Sequence, residues 1–264
     1  GNAKNDNVLR AAAFTLLDDM IDTLAGLKSD GTFPNLETIV VTGQSAGGQF
    51  TLRYAMAGTA APDGIAMRYV PCNPGAVTYL NEWRPTEAVK DAFPNIGYER
   101  DCDSDGTIET FTPPSGTAQR LADMEDWLNY LPFTYDLPDD FMWENGAGNL
   151  VDCVGENEYE AWPWGIADVG TANDYLETYV RTPDEVRSRY LGRRVFLFFG
   201  IDDNVYVGPK NKEECEWAPE NASEWSCPHG AQGSTRVERG ALFFNHVCCT
   251  YGCSNHRFAT VCID

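Results

Sequence analysis

Basic residues are scarce in this chain. Nineteen lysines and arginines stand against forty aspartates and glutamates, giving a formal charge of −21 and a pI near 4.3. That balance argues against nucleic-acid partners and against anionic membrane surfaces. The acidic residues are spread along the chain, with no acidic tail, and read as a solvated surface. Long apolar runs are missing as well. None approaches the ~20 residues of a membrane span, so no transmembrane segment is expected. There is no internal repeat, and no signal peptide is visible at Gly1. Histidine occurs only at His229, His246 and His256, so a histidine-dependent site has few candidates.

What is present is enough for a folded core. A chain of 264 residues with 43% hydrophobic content buries one large domain or two small ones. Nine cysteines is a high count, and five of them (Cys227, Cys248, Cys249, Cys253 and Cys262) crowd the last forty residues. Cys249 and Cys253 have no second ligand pair at zinc-finger spacing, although His246 and His256 lie near in sequence. Disulfides in an oxidising compartment fit better, and the sequon Asn221-Ala222-Ser223 points the same way. A secreted or extracytoplasmic protein is the expectation, with a signal sequence removed or lying upstream.

The organising stretch is Ile39-Val40-Val41-Thr42-Gly43-Gln44-Ser45-Ala46-Gly47. β-branched residues run into a sharp turn with a serine at its apex, and a helix-compatible run over residues 49–57 follows. Strand, turn and helix in that order are the context in which G-x-S-x-G denotes a nucleophile elbow. Glycine at positions 43 and 47 is expected to relieve clashes where strand and helix meet. Ser45 then reads as a catalytic nucleophile, and the Ala46 N–H points towards the place an oxyanion would occupy.

Helical periodicity covers residues 8–27, through Leu9, Ala13, Leu16, Leu17, Met20, Ile21 and Leu24. Strands are expected over 36–41, 66–70, 194–199 and 257–263, and a helix over 235–251. The run Arg194-Val195-Phe196-Leu197-Phe198-Phe199 suits a central parallel strand. Between residues 75 and 189 prolines, aspartates and aromatics dominate and periodicity fades. The expected organisation is a core of residues 1–74 and 190–264 with residues 75–189 as a cap or lid insertion. The fold class is α/β, a mostly parallel sheet with helices on both faces.

These residues carry a family resemblance. Gly43-Gln44-Ser45-Ala46-Gly47-Gly48-Gln49 with Arg53-Tyr54 is similar to the elbow of secreted α/β-hydrolases. Further matching pieces are Arg68-Tyr69-Val70 leading to Asn73-Pro74, residues 159–165, Gly200-x-x-Asp203, and Ala231-Gln232-Gly233 with Arg236, Glu238, Arg239 and Gly240. Gln44 stands where such elbows usually have histidine. The resemblance covers most of the chain except roughly residues 87–151. It implies a Ser–His–Asp hydrolase in which Ser45 attacks a carbonyl and Asp203 orients the histidine, with Asp202 the rival acid. His256 is the candidate base, yet it precedes the last strand rather than following it. The alternative is that the base lies beyond Asp264 and that the chain is the central and C-terminal part of a longer protein.

Asp101-Cys102-Asp103-Ser104-Asp105-Gly106 resembles the start of a calcium loop. Thr112 stands where an EF-hand places its bidentate glutamate, and Pro113-Pro114 forbids the exit helix. Asp101, Asp103 and Asp105 are therefore candidates for a simpler structural calcium site, or they form a solvated acidic turn. No other cofactor is expected. The tryptophans of the insertion either line an apolar cleft or form the insertion's own small core. Two functions follow as expectations: a carboxylic-ester hydrolase acting on a small-molecule or polymeric ester through an acyl-enzyme on Ser45, or a catalytically inactive binding or structural module of the same fold.

Overall fold

The computed structural model describes residues 13–85, 161–200, 232, 236–252 and 254–261, with the backbone of five short strands between residues 98 and 152. The elements run in the order α1 (Ala13–Ser29), β1 (Thr38–Gln44), α2 (Ala46–Ala57), β2 (Ala66–Cys72), β3 (Arg84–Pro85), β4 (Tyr98–Arg100), β5 (Glu109–Phe111), β6 (Tyr135–Asp136), β7 (Met142–Glu144), β8 (Leu150–Asp152), α3 (Asp174–Tyr179), α4 (Pro183–Gly192), β9 (Arg194–Gly200), α5 (Arg236–Tyr251) and β10 (His256–Val261). Four strands form one sheet in the order β1-β2-β9-β10, and every pairing in it is parallel. The short strands pair antiparallel, β3 with β6, β4 with β5 and β7 with β8. This is an α/β architecture.

Alternation along the strands decides which face is the core. Ile39, Val41, Tyr69, Val195, Leu197 and Phe199 are buried, and the residues between them are half-buried or exposed. The helices meet the sheet on this buried face. Tyr54 of α2 lies against Tyr69, Gly240 of α5 sits directly on the Phe199 ring, and Phe244 of α5 lies against Phe258. α1 joins the same layer through Phe14, which makes edge contacts with Phe50, Tyr54 and Tyr175. Helices were expected on both faces; among the described residues they cover one.

Polar groups fasten the layer. Asp18, buried on α1, accepts hydrogen bonds from the Tyr54 and Tyr175 hydroxyls, the Thr59 hydroxyl and the Ala60 N–H. Burial alone would raise its pKa, but these donors outweigh burial and hold the carboxylate below its ordinary value. The Arg193 guanidinium donates to the carbonyls of Tyr54, Ala55 and Gly58, and Arg189 donates to that of Ala57. Cations thereby reach the carbonyls at the end of α2, sharing that of Tyr54 with the Gly58 N–H. Lys28 at the end of α1 donates to the carbonyls of Leu36 and Gly64, tying α1 to the approaches of β1 and β2.

The core also takes in residues on the insertion side of the expected boundaries. Val77, Tyr79, Leu80, Ile166, Val169, Tyr175, Leu176, Val180 and Val186 belong to the same buried cluster as the sheet. Thr182 and Glu185 form a reciprocal capping box at the start of α4, with Pro183 in its first turn. Trp162 packs against this cluster too, and the Trp164 ring lies under the Arg53 guanidinium. Trp127 lies outside the described residues, and only the backbone of Trp143 is described. On α1 the expected apolar stripe is partly displaced. Leu16 and Met20 are exposed, whereas Asp18 and Ile21 are buried.

Candidate active site at the strand ends

β1, β2 and β9 end on one edge of the sheet, the edge at which open α/β folds place their sites. Register pairs Gln44 with Cys72 and Cys72 with Phe198, so Ser45, Asn73 and Gly200 follow at neighbouring strand ends. Ser45 joins β1 to α2 with φ 56° and ψ −113°, a region that residues with a side chain rarely occupy. Such a conformation costs about 1–3 kcal/mol and persists only where the surroundings enforce it. Two bonds enforce it here. The Ser45 N–H donates to the Cys72 carbonyl at 3.0 Å, and the Ser45 carbonyl accepts from the Gln49 N–H at 2.9 Å.

The conformation has a chemical consequence. A serine preceding a helix normally turns its hydroxyl onto the first-turn N–H groups. Ser45 makes no such side-chain cap. Its backbone is outside the extended region that capping needs, which leaves Oγ uncommitted to the helix. Ala46 opens α2, so its N–H is a first-turn donor that no helical carbonyl accepts. A half-buried hydroxyl beside such a donor is an arrangement suited to attack on a carbonyl and stabilisation of the resulting oxyanion.

The glycines divide their work differently from the expectation. A Cβ at Gly43 would fall 2.5 Å from the Gly47 backbone, and one at Gly48 would fall 2.3 Å from the Cys72 carbonyl oxygen. A Cβ at Gly47 would meet open space. Close packing therefore requires glycine at 43 and 48. The strand-to-helix crossing seats α2 against both β1 and the exit of β2.

Asn73 is a residue whose role the sequence did not announce. It adopts φ 40°, which asparagine tolerates better than most side chains. Its N–H donates to the Phe198 carbonyl at 2.8 Å, and its Oδ1 accepts from the Gly200 N–H at 2.7 Å. It thereby fixes the end of β9 relative to the exit of β2. Gln232 does a similar task nearby, with its amide bonded both ways to the Val77 backbone.

His256 does not reach this edge. It begins β10, pairs with Val195, and shares a row with Tyr69 and Val41. Ser45 lies four residues past Val41 and three strands away, about 13 Å along the sheet and about 14 Å across it. His256 is also buried, against the Tyr190 ring, and burial lowers its pKa. As base for Ser45 it is at the wrong end. His246 is buried on α5 against Tyr79, with its pKa pushed down to about 4 by burial and by nearby Arg84. The neutral imidazole is part of the packing. Asp202, Asp203 and His229 lie outside the described residues, as do Asp101, Asp103 and Asp105. Among the described residues no cluster of metal-ligating side chains occurs, and no helix is long and apolar enough to cross a membrane. Cys72 is a free thiol and Cys248 is disulfide-bonded.

Comparison with protein-family models, with curated proteins and with solved structures finds no match to this chain.

Proposed function

We propose that the chain is an α/β-hydrolase-type serine hydrolase that cleaves carboxylic esters through an acyl-enzyme on Ser45. The observation that carries this reading is the strained Ser45 backbone, which withholds the hydroxyl from capping α2. Folding does not need a non-glycine residue in that conformation, whereas a nucleophile does. In the reaction, Ser45 Oγ attacks the ester carbonyl while a base removes its proton. The oxyanion is stabilised by the Ala46 N–H, and collapse expels the alcohol. Water then attacks the acyl-enzyme by the same route and releases the acid.

Asp203 follows Gly200 of β9 by three residues and is the proposed acid, with Asp202 its rival. The base is a histidine other than His246 and His256. An extracytoplasmic setting is part of the proposal, supported by the nine cysteines and the Asn221 sequon. A structural calcium ion at Asp101, Asp103 and Asp105 is the alternative to a solvated acidic turn there.

The test is hydrolysis of a series of p-nitrophenyl esters by the protein, Ser45→Ala and Asp203→Asn. Ester turnover that falls at least about a thousandfold in Ser45→Ala supports the reading. The second reading is a non-catalytic binding module of the same fold. The packing of His246 against Tyr79 and the placement of His256 away from Ser45 favour it, and turnover no faster than buffer in the folded protein would establish it.

A further inference from the structure

The sheet face that carries no described helix has a chemistry of its own. All-parallel sheets normally have both faces covered, yet Val40 is 51% exposed and Phe196 is 39% exposed here. Register places Val40, Arg68 and Arg194 side by side in one row, and Thr42, Val70, Phe196 and Arg257 in the next. The strand positions on this face include no acidic residue, although acids outnumber bases two to one in the chain. A groove of about 420 Å3 opens there, lined by Arg68, Val70, Arg194, Phe196, Asn255 and Arg257 among others. It lies towards the start of β2, β9 and β10. Ser45 is about 16 Å further along the strand from the Val40 row.

Like charges in direct register on neighbouring strands repel. Arg68 and Arg194 are such a pair, and both side chains are exposed. The third guanidinium is held at the rim, where Arg257 Nη1 donates to the carbonyls of His256 at 2.6 Å and Ser254 at 3.3 Å. Guanidinium groups bind carboxylate and phosphate oxygens in planar forks, and an anion between Arg68 and Arg194 converts their repulsion into attraction. The neighbouring Phe196 and Val70 side chains supply an apolar wall beside the charge. We propose that this groove binds a small organic anion, a carboxylate or phosphate monoester carried on an aromatic or aliphatic body. The site is independent of Ser45 and of any ester chemistry there.

Calorimetric titration of the whole chain with phenyl phosphate, and with inorganic phosphate in parallel, tests the assignment. The expected result is one saturable site for phenyl phosphate with Kd below about 1 mM, and binding at least about tenfold weaker for inorganic phosphate. Arg68→Gln combined with Arg194→Gln weakens phenyl phosphate at least about tenfold, by removing both forks. Phe196→Ser, which keeps all three arginines, weakens phenyl phosphate but leaves inorganic phosphate unchanged. No saturation by about 10 mM, or unchanged affinity in the arginine variant, would overturn the proposal. Equal affinities for the two ligands would overturn its apolar component.

Discussion

Adjacent glycines in α2 are predicted to respond to the same substitution with opposite signs. In Gly48→Ala the new methyl would fall 2.3 Å from the Cys72 carbonyl oxygen and 3.2 Å from that of Gly43. Both obstacles are backbone, and Cys72 O is also the acceptor that holds the Ser45 N–H. Relief requires α2 to move away from β2 by more than an ångström, and overpacking of this kind costs typically about 1–3 kcal/mol. The upper end applies here because no flexible side chain can yield. For a chain of this size that corresponds to a fall in Tm of about 6 °C or more. Gly47→Ala meets nothing within 4 Å and replaces glycine in a helical turn, which stabilises by up to about 1 kcal/mol. Thermal and urea unfolding of the two variants against the parent give the answer. Equal destabilisation by both substitutions, or a harmless Gly48→Ala, would refute the packing of α2 on the end of β2.

Further outcomes follow from the same geometry. Ser45→Gly removes a side chain from a strained backbone and is expected to stabilise by about 1 kcal/mol while abolishing ester turnover, checked by paired unfolding and activity assays. Asp18 has a folded pKa below the ordinary aspartate value of 3.8, so its contribution is present above that value and is lost as pH falls through the lower folded one. Unfolding free energies at pH 6 and pH 3 should differ more in the parent than in Asp18→Asn. His246 has its pKa lowered from 6.5 to about 4, so the unfolded chain takes up the proton first. Stability should fall as pH drops from 6.5 towards 4, by up to about 3 kcal/mol, and His246→Gln should flatten that slope in urea titrations. Arg193→Ala leaves three carbonyls at the end of α2 without their charged donor and is expected to cost about 2–4 kcal/mol by urea unfolding.

Much of the scaffold was legible in the sequence because its signals are local. The β-branched run before Gly43, the apolar run from Val195 to Phe199 and the period of α5 each specify an element without help from elsewhere. Boundaries moved by a few residues where tertiary bonds extend an element. β1 continues to Gln44 because Gly43 and Gln44 pair with Pro71 and Cys72. Asp18 was invisible because its partners Tyr54, Thr59 and Tyr175 are 36 to 157 residues distant, and an acid on a helix reads as solvent-facing. The Arg68–Arg194 pair depends on register between strands far apart in sequence, which no local pattern encodes. The strand-to-helix turn at Ser45 was legible from its flanks, but the duty of Gly48 rather than Gly47 needed the path of β2. His256 was a candidate base by residue type alone; its position ahead of the last strand was legible in the sequence, and the structure places it there, at the start of β10.

The proposed reaction depends on an activated serine at residue 45. Its most direct test is labelling of the folded protein with a fluorophosphonate at neutral pH, with the adduct located by peptide mass spectrometry. One covalent adduct per chain is expected, on Ser45, and absent from Ser45→Ala. A folded protein that takes up no label, or takes it up elsewhere and equally in the variant, would contradict it.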